Sequence, residues 1–176
     1  MSEIIALLGY MGSGKSTLGK ALATSLKLPF RDLDDQIEAH AGTSIKELFA
    51  SGGEIAFRKL ETQVLTTEVQ REQGQVLALG GGTPCYGQNL DILHAAGVKT
   101  VYLKLSLVSL LERLKRGRAK RPLIAHLTEE QLEEFIRKHL FERQFYYNQA
   151  SYVVDVDGLT VEQAVERVAR ACLYSK

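Results

Sequence analysis

Short continuous apolar runs alternate along the chain with longer stretches of helical periodicity. Ile4-Ile5-Ala6-Leu7-Leu8 is closed by Gly9, the pattern of a strand covered on both faces, and predicts a central parallel strand. Beyond a glycine-rich turn, Leu18, Ala21, Leu22, Ser25 and Leu26 recur at helical spacing until Pro29 stops them. Further apolar runs at Leu28 to Leu33, Val76 to Leu79, Val98 to Leu105 and Tyr152 to Val156 are separated by helical segments. One of those helices is opened by the capping box Thr128-Glu129-Glu130-Gln131. Five strands alternating with helices predict an α/β fold with a parallel sheet and right-handed crossovers.

Composition narrows the classes without naming a function. With 176 residues, 45% of them hydrophobic, the chain can bury one sizeable core, and a single domain over residues 1–176 is expected. No repeat, low-complexity tract or Pro/Ser-rich linker divides it. The 22 Lys+Arg nearly cancel the 21 Asp+Glu, for a net charge of +1, so the overall balance predicts neither nucleic-acid nor membrane binding. Cys85 and Cys172 have no CxxC spacing and no His at metal-ligand offsets, which fits a reducing cytosol better than a disulfide framework or a zinc site. The opening Met1-Ser2-Glu3 lacks a basic leader region, and no run reaches the roughly eighteen apolar residues of a membrane span. A soluble cytoplasmic monomer is expected. One segment stands apart: Arg113, Lys115, Arg116, Arg118, Lys120 and Arg121 crowd nine positions beside Gly117 and Pro122, and predict a mobile basic loop.

The chemistry is densest at Gly9-Tyr10-Met11-Gly12-Ser13-Gly14-Lys15-Ser16, which matches G-x-x-x-x-G-K-[ST] between a predicted strand and a predicted helix. Glycines let successive N–H groups close around phosphate oxygens, and the helix N-terminus adds partial positive charge. Gly12, Ser13, Gly14, Lys15, Ser16 and Thr17 form the nucleotide cradle, with Lys15 reaching the β/γ-phosphates and the Ser16 hydroxyl on Mg²⁺. ATP and Mg²⁺ are the implied ligands. No guanine-reading N/T-K-x-D segment follows, and the strand Val76-Leu77-Ala78-Leu79 ends in Gly80-Gly81-Gly82 instead of the Asp of a motor ATPase. That pattern points to small-molecule kinases.

Asp32 and Asp34 follow the second strand, and residues two apart on extended chain face one way, so both carboxylates are expected in one cleft. Asp32 would serve the metal shell and Asp34 an acceptor hydroxyl, unless either merely caps a helix beginning near Asp35. Arg58 stands beside the apolar face Phe57, Leu60 and Val64, with Glu54 one turn earlier as an ordinary pairing partner. Arg143 falls in the stripe Leu132, Ile136, Leu140 and Tyr147. A guanidinium there needs a buried anion, either a structural Asp or a ligand carboxylate. Three consecutive glycines at Gly80 to Gly82 suggest either a tight turn or a close approach of ligand to bare backbone.

As a set these residues resemble the shikimate kinase family over nearly the whole chain. The likeness rests on Gly9 to Thr17, Asp32-Leu33-Asp34, Phe57-Arg58-Lys59-Leu60-Glu61, Gly80-Gly81-Gly82, Arg121-Pro122-Leu123 and Arg143. The resemblance implies a five-stranded parallel sheet in order 2-3-1-4-5, an acceptor-binding segment over about 33–61 and a lid over about 113–127. It also implies transfer of the ATP γ-phosphoryl group to the 3-hydroxyl of shikimate, in aromatic amino-acid biosynthesis. Asp34, Arg58, Gly80, Gly81, Gly82 and Arg143 would hold shikimate, with both arginines on its carboxylate. Lys15, Asp34 and Arg121 would be catalytic, Arg121 arriving with the lid, and Arg116 would lie near adenine. Asp157-Gly158-Leu159-Thr160 stands where many relatives carry an adenine-loop arginine, so backbone and lid would hold the base. A gluconate or nucleoside monophosphate kinase shares the chemistry but not the combined motifs. A nucleic-acid partner on Arg113 to Arg121 would lack the aromatics that usually accompany such a surface.

Overall fold

The computed structural model describes residues 3–121 and 123–173. At its centre β1 (Ile4–Leu8) is buried at every position. Its side chains alternate between two cores: Ile5 and Leu7 join one, and Ile4, Ala6 and Leu8 join the other on the opposite sheet face. β1 pairs in parallel with β3 (Gln75–Ala78) on one side and β4 (Lys99–Lys104) on the other. The edges are β2 (Phe30–Asp32), beside β3, and β5 (Tyr152–Asp155), beside β4. The order is therefore 2-3-1-4-5, as expected.

Among the described residues seven α-helices complete the layers: α1 (Lys15–Leu26), α2 (Leu33–Ala41), α3 (Ile45–Val69), α4 (Asn89–Ala95), α5 (Leu107–Gly117), α6 (Glu129–Tyr147) and α7 (Val161–Leu173). The core built on Ile5 and Leu7 receives α1, α5, α6 and α7 through Leu22, Leu114, Ile136 and Val168. The other receives α2, α3 and α4 through Ile37, Leu65 and Leu93. The boundaries follow local chemistry. The capping box of Thr128 and Gln131 opens α6 as predicted, and a second one of Ser44 and Glu47 opens α3. Within α3, Gly53 adopts φ 70° and ψ −176° and breaks the helical path. No helix among the described residues is long and apolar enough to cross a membrane. Both cysteines are free.

Two expectations change. The second strand is shorter than Leu28 to Leu33 because Pro29 has no N–H to donate and the chain turns helical at Leu33. The basic segment is not a loop throughout: Arg113 to Gly117 belong to α5, Arg118–Lys120 form a 3₁₀ turn, Leu123 is exposed, and Ile124 is fully buried in the core. Pro122, at the heart of the predicted lid motif, lies outside the described residues.

Candidate active site

Crossovers bring the carboxyl ends of β1, β2 and β3 to one rim, where ligands of open α/β sheets bind. The loop after β1 carries Gly12 at φ 80° and Gly14 at φ 91°, left-handed conformations that L side chains rarely adopt. Gly14 is the N-cap of α1 and offers no side-chain acceptor, so the first-turn N–H groups remain available to an anion. Lys15 Nζ donates to the carbonyls of Gly9 at 2.7 Å and Tyr10 at 3.1 Å. Burial pulls its pKa down to about 8, while Asp34 and then Asp32 work to raise it. Ser13 is buried, with a hydroxyl that has no hydrogen-bond partner among the described residues.

Asp32 does cap a helix, and it also reaches the phosphate loop. It ends β2, its Oδ1 caps α2 by accepting from Asp34 N at 3.2 Å, and its Oδ2 accepts from Ser16 Oγ at 2.7 Å. The helix begins at Leu33, so Asp34 lies in its first turn and not on an extended strand. The two carboxylates therefore do not share a face through the strand alternation expected from the sequence, yet both act on Lys15. Burial, and then the nearby Asp32 and Glu61 carboxylates, raise the Asp34 pKa to about 6, against the lowering influence of Lys15.

The glycine turn supplies the clearest geometry. An added Cβ on Gly80 would lie 3.1 Å from Asp34 Oδ1, one on Gly81 3.2 Å from Arg143 Nη1, and one on Gly82 2.8 Å from Arg58 Nη2. Each glycine thus makes room for a different charged group. Glu61, 1% exposed, accepts from Arg58 Nη1 at 2.8 Å and from Thr83 Oγ1 at 2.7 Å. Asn89 donates to the Thr83 carbonyl and accepts from Thr62, which ties the turn to α3. The Glu54 partner anticipated for Arg58 is the looser one, at 3.6 Å, and the guanidinium also covers the Tyr86 ring at 3.8 Å. Arg143 shows no carboxylate within ion-pairing distance among the described residues. It lies over the Tyr10 ring, 5.8 Å from its centroid.

The basic segment is distributed differently. Arg113 Nη1 approaches the Gly12 and Ser13 carbonyls at 3.4 Å and helps line a cavity of about 240 Å³ with Gly14, Thr17, Leu159 and Ala164. Arg116, assigned to adenine by resemblance, does not line that cavity. Arg121 Nη1 donates to Gly117 O at 2.9 Å, so this structure does not bring it to the phosphate loop. Arg118 bonds the Leu127 carbonyl, and Lys115 pairs with Glu129. Sequence reading gave no role to Thr83, Asn89, Tyr86, Tyr10 or His139. Only Tyr147, on the inward stripe of α6, carried a signal.

Comparison with known proteins shows the family. The family model described as "Shikimate kinase" matches residues 11–173. A shikimate kinase of Flavobacterium johnsoniae is 48% identical, over 94% of this chain and 96% of that protein. Among solved structures, the shikimate kinase of Bacteroides thetaiotaomicron has a TM-score of 0.88 at 36% identity, covering 96% of this chain and 97% of its own. A shikimate kinase of Acinetobacter baumannii in complex with shikimate has a TM-score of 0.86 at 30% identity, over 100% and 96%. Matches of this extent, across the phosphate loop, the glycine turn and α6 alike, place the chain in the shikimate kinase family.

Proposed function

We propose that this protein, as a single-domain cytoplasmic monomer with no nucleic-acid partner, phosphorylates the 3-hydroxyl of shikimate at the expense of ATP, in the pathway to the aromatic amino acids. The observation that carries the reading is the glycine strip, which sets one carboxylate and two guanidinium groups against three successive stretches of bare backbone. A small acceptor with a hydroxyl toward Asp34 and a carboxylate toward Arg58 and Arg143 matches that order.

Phosphoryl transfer asks mainly for positioning and charge neutralisation. Gly12 to Thr17 would hold the nucleotide phosphates, and Lys15 would leave its loop carbonyls for the β/γ oxygens. The cavity beside Arg113 and Leu159 suits the adenine, which moves the base contact from Arg116 to Arg113. The acceptor oxygen would form a bond to the γ-phosphorus as the bond to the β–γ bridging oxygen breaks, with the acceptor proton passing to Asp34. A carboxylate whose pKa is about 6 remains ionised near neutral pH and can take that proton. Arg121 would swing from Gly117 toward the transferring group as the lid closes.

The donor set also fits magnesium. Ser16 Oγ and Asp32 Oδ2 are hard oxygen donors side by side at the edge of the phosphate loop, and Mg²⁺ takes few protein ligands alongside phosphate and water. When bound, the ion supplies positive charge against the phosphate oxygens. The test is ADP release in a coupled assay across a panel of hydroxy acids. Shikimate is expected to dominate, and equal turnover of gluconate would overturn the assignment.

A further inference from the structure

On α6 the residues His139, Arg143 and Tyr147 follow at intervals of four, so they stand above one another on one helix face. Each touches a loop at the rim. Tyr10 and His139 share a hydrogen bond of 3.0 Å between the phenol oxygen and Nδ1, with the rings edge to face at 87°. At the other end, Tyr147 donates its O–H to the Gly81 carbonyl at 2.6 Å and lies against the Tyr102 ring. Arg143 sits between these anchors, over the Tyr10 ring and beside Gly81.

The arrangement answers a need. A long side chain without a carboxylate partner has many rotamers open to it, and the Tyr10 ring beneath Arg143 limits that freedom. Tyr10 is 1% exposed and serves both halves of the site, since its carbonyl accepts from Lys15 while its ring underlies Arg143. Burial pushes the phenol up to about 12, and burial with Arg143 nearby holds His139 below its usual value. Near neutral pH both rings are therefore uncharged, and the imidazole tautomer sets which of the two atoms, phenol oxygen or Nδ1, donates. Glu142, the remaining charged group acting on His139, opposes that lowering without reversing it.

We propose that Tyr10 and His139 are positioning residues for the acceptor: their hydrogen bond holds the Tyr10 ring beneath Arg143 and so sets where the guanidinium meets the acceptor carboxylate. The inference rests on the function proposed above and goes beyond it by assigning a kinetic role to two residues that the proposed mechanism does not use.

Steady-state kinetics on the full chain, with thermal unfolding of each variant as the folding control, provide the test. Tyr10→Phe and His139→Ala should each raise the shikimate KM roughly five- to tenfold, the scale of one lost hydrogen bond, with the ATP KM changed less than about twofold. The double variant should be no worse than the poorer single one, because both remove the same bond. His139→Asn, whose amide oxygen can stand where Nδ1 does, should recover most of the loss. A purely structural role would instead lower the melting temperature and the active fraction while leaving both KM values in place. Shikimate KM values unchanged in both single variants, or multiplicative losses in the double, would overturn the proposal. ADP release by the unsubstituted protein with shikimate tests the functional reading separately, so the two failures can be told apart.

Discussion

Two arginines face the same end of the glycine strip, and their surroundings differ in kind. Arg58 rises from α3 into a carboxylate nest, bonded to buried Glu61 and near Glu54, with Tyr86 against its face. Arg143 descends from α6 onto the Tyr10 ring and shows no acidic partner among the described residues. The first is preorganised and already neutralised; the second retains its full charge. On the proposed function, an anionic acceptor would gain most of its electrostatic attraction from Arg143, while Arg58 would contribute placement and hold the fold around Glu61.

A third arginine sets the outer limit of this comparison. Arg121 donates to the Gly117 carbonyl and would act in the transition state alone, so Arg121→Ala should lower kcat on the order of a thousandfold with little change in shikimate KM. A normal kcat would remove the lid from the mechanism. Next, Arg143→Ala should weaken shikimate roughly tenfold to a hundredfold, the range of one lost charge-assisted contact, with a melting temperature at or above that of the unsubstituted protein. Arg58→Ala should weaken shikimate less, about tenfold, but destabilise the protein by about 1–3 kcal/mol because buried Glu61 loses its charged partner and keeps the Thr83 hydrogen bond. Calorimetry on both variants decides the matter: equal stability losses would erase the distinction between the two walls. Shikimate methyl ester should bind about tenfold more weakly than shikimate, and that discrimination should shrink more in Arg143→Ala than in Arg58→Ala. The smallest effect concerns the helix that carries Arg58. Hydrogen bonds from Thr43 and Ser44 hold the Glu47 carboxyl down at about 2, below its unfolded value. Its contribution is present above about pH 4.5 and lost as pH falls through 2. Hydrogen exchange at the start of α3 should rise over that interval before the sheet responds.

The elements themselves were legible because each is written in local pattern. Apolar runs located the strands to within a residue or two, and the Thr128 capping box located the start of α6. The phosphate loop was legible because close approach to phosphate demands glycines at set spacing. What escaped local reading depends on partners distant in sequence. Asp34 looked like a strand residue until the first turn of α2 was seen to begin at Leu33. Arg58 offered Glu54 as the obvious mate, but the tighter pair is with Glu61, whose geometry is completed by Thr83, 22 positions away.

By itself the sequence determined which residue types the chain carries to the rim: a cradle for phosphate, two carboxylates, a glycine strip and several arginines. Pattern and spacing suffice for that, because strands and helices impose periods of two and 3.6 on any chain that forms them. Tertiary structure alone decided which charges are already answered. That Arg58 is neutralised while Arg143 rests on tyrosine, and that Tyr10 reaches His139 across 129 positions, follow from crossovers that bring α3, α6 and the β1 loop to one edge of the sheet. The energy of a charge depends on what lies within a few ångströms of it, and only the folded chain sets those distances.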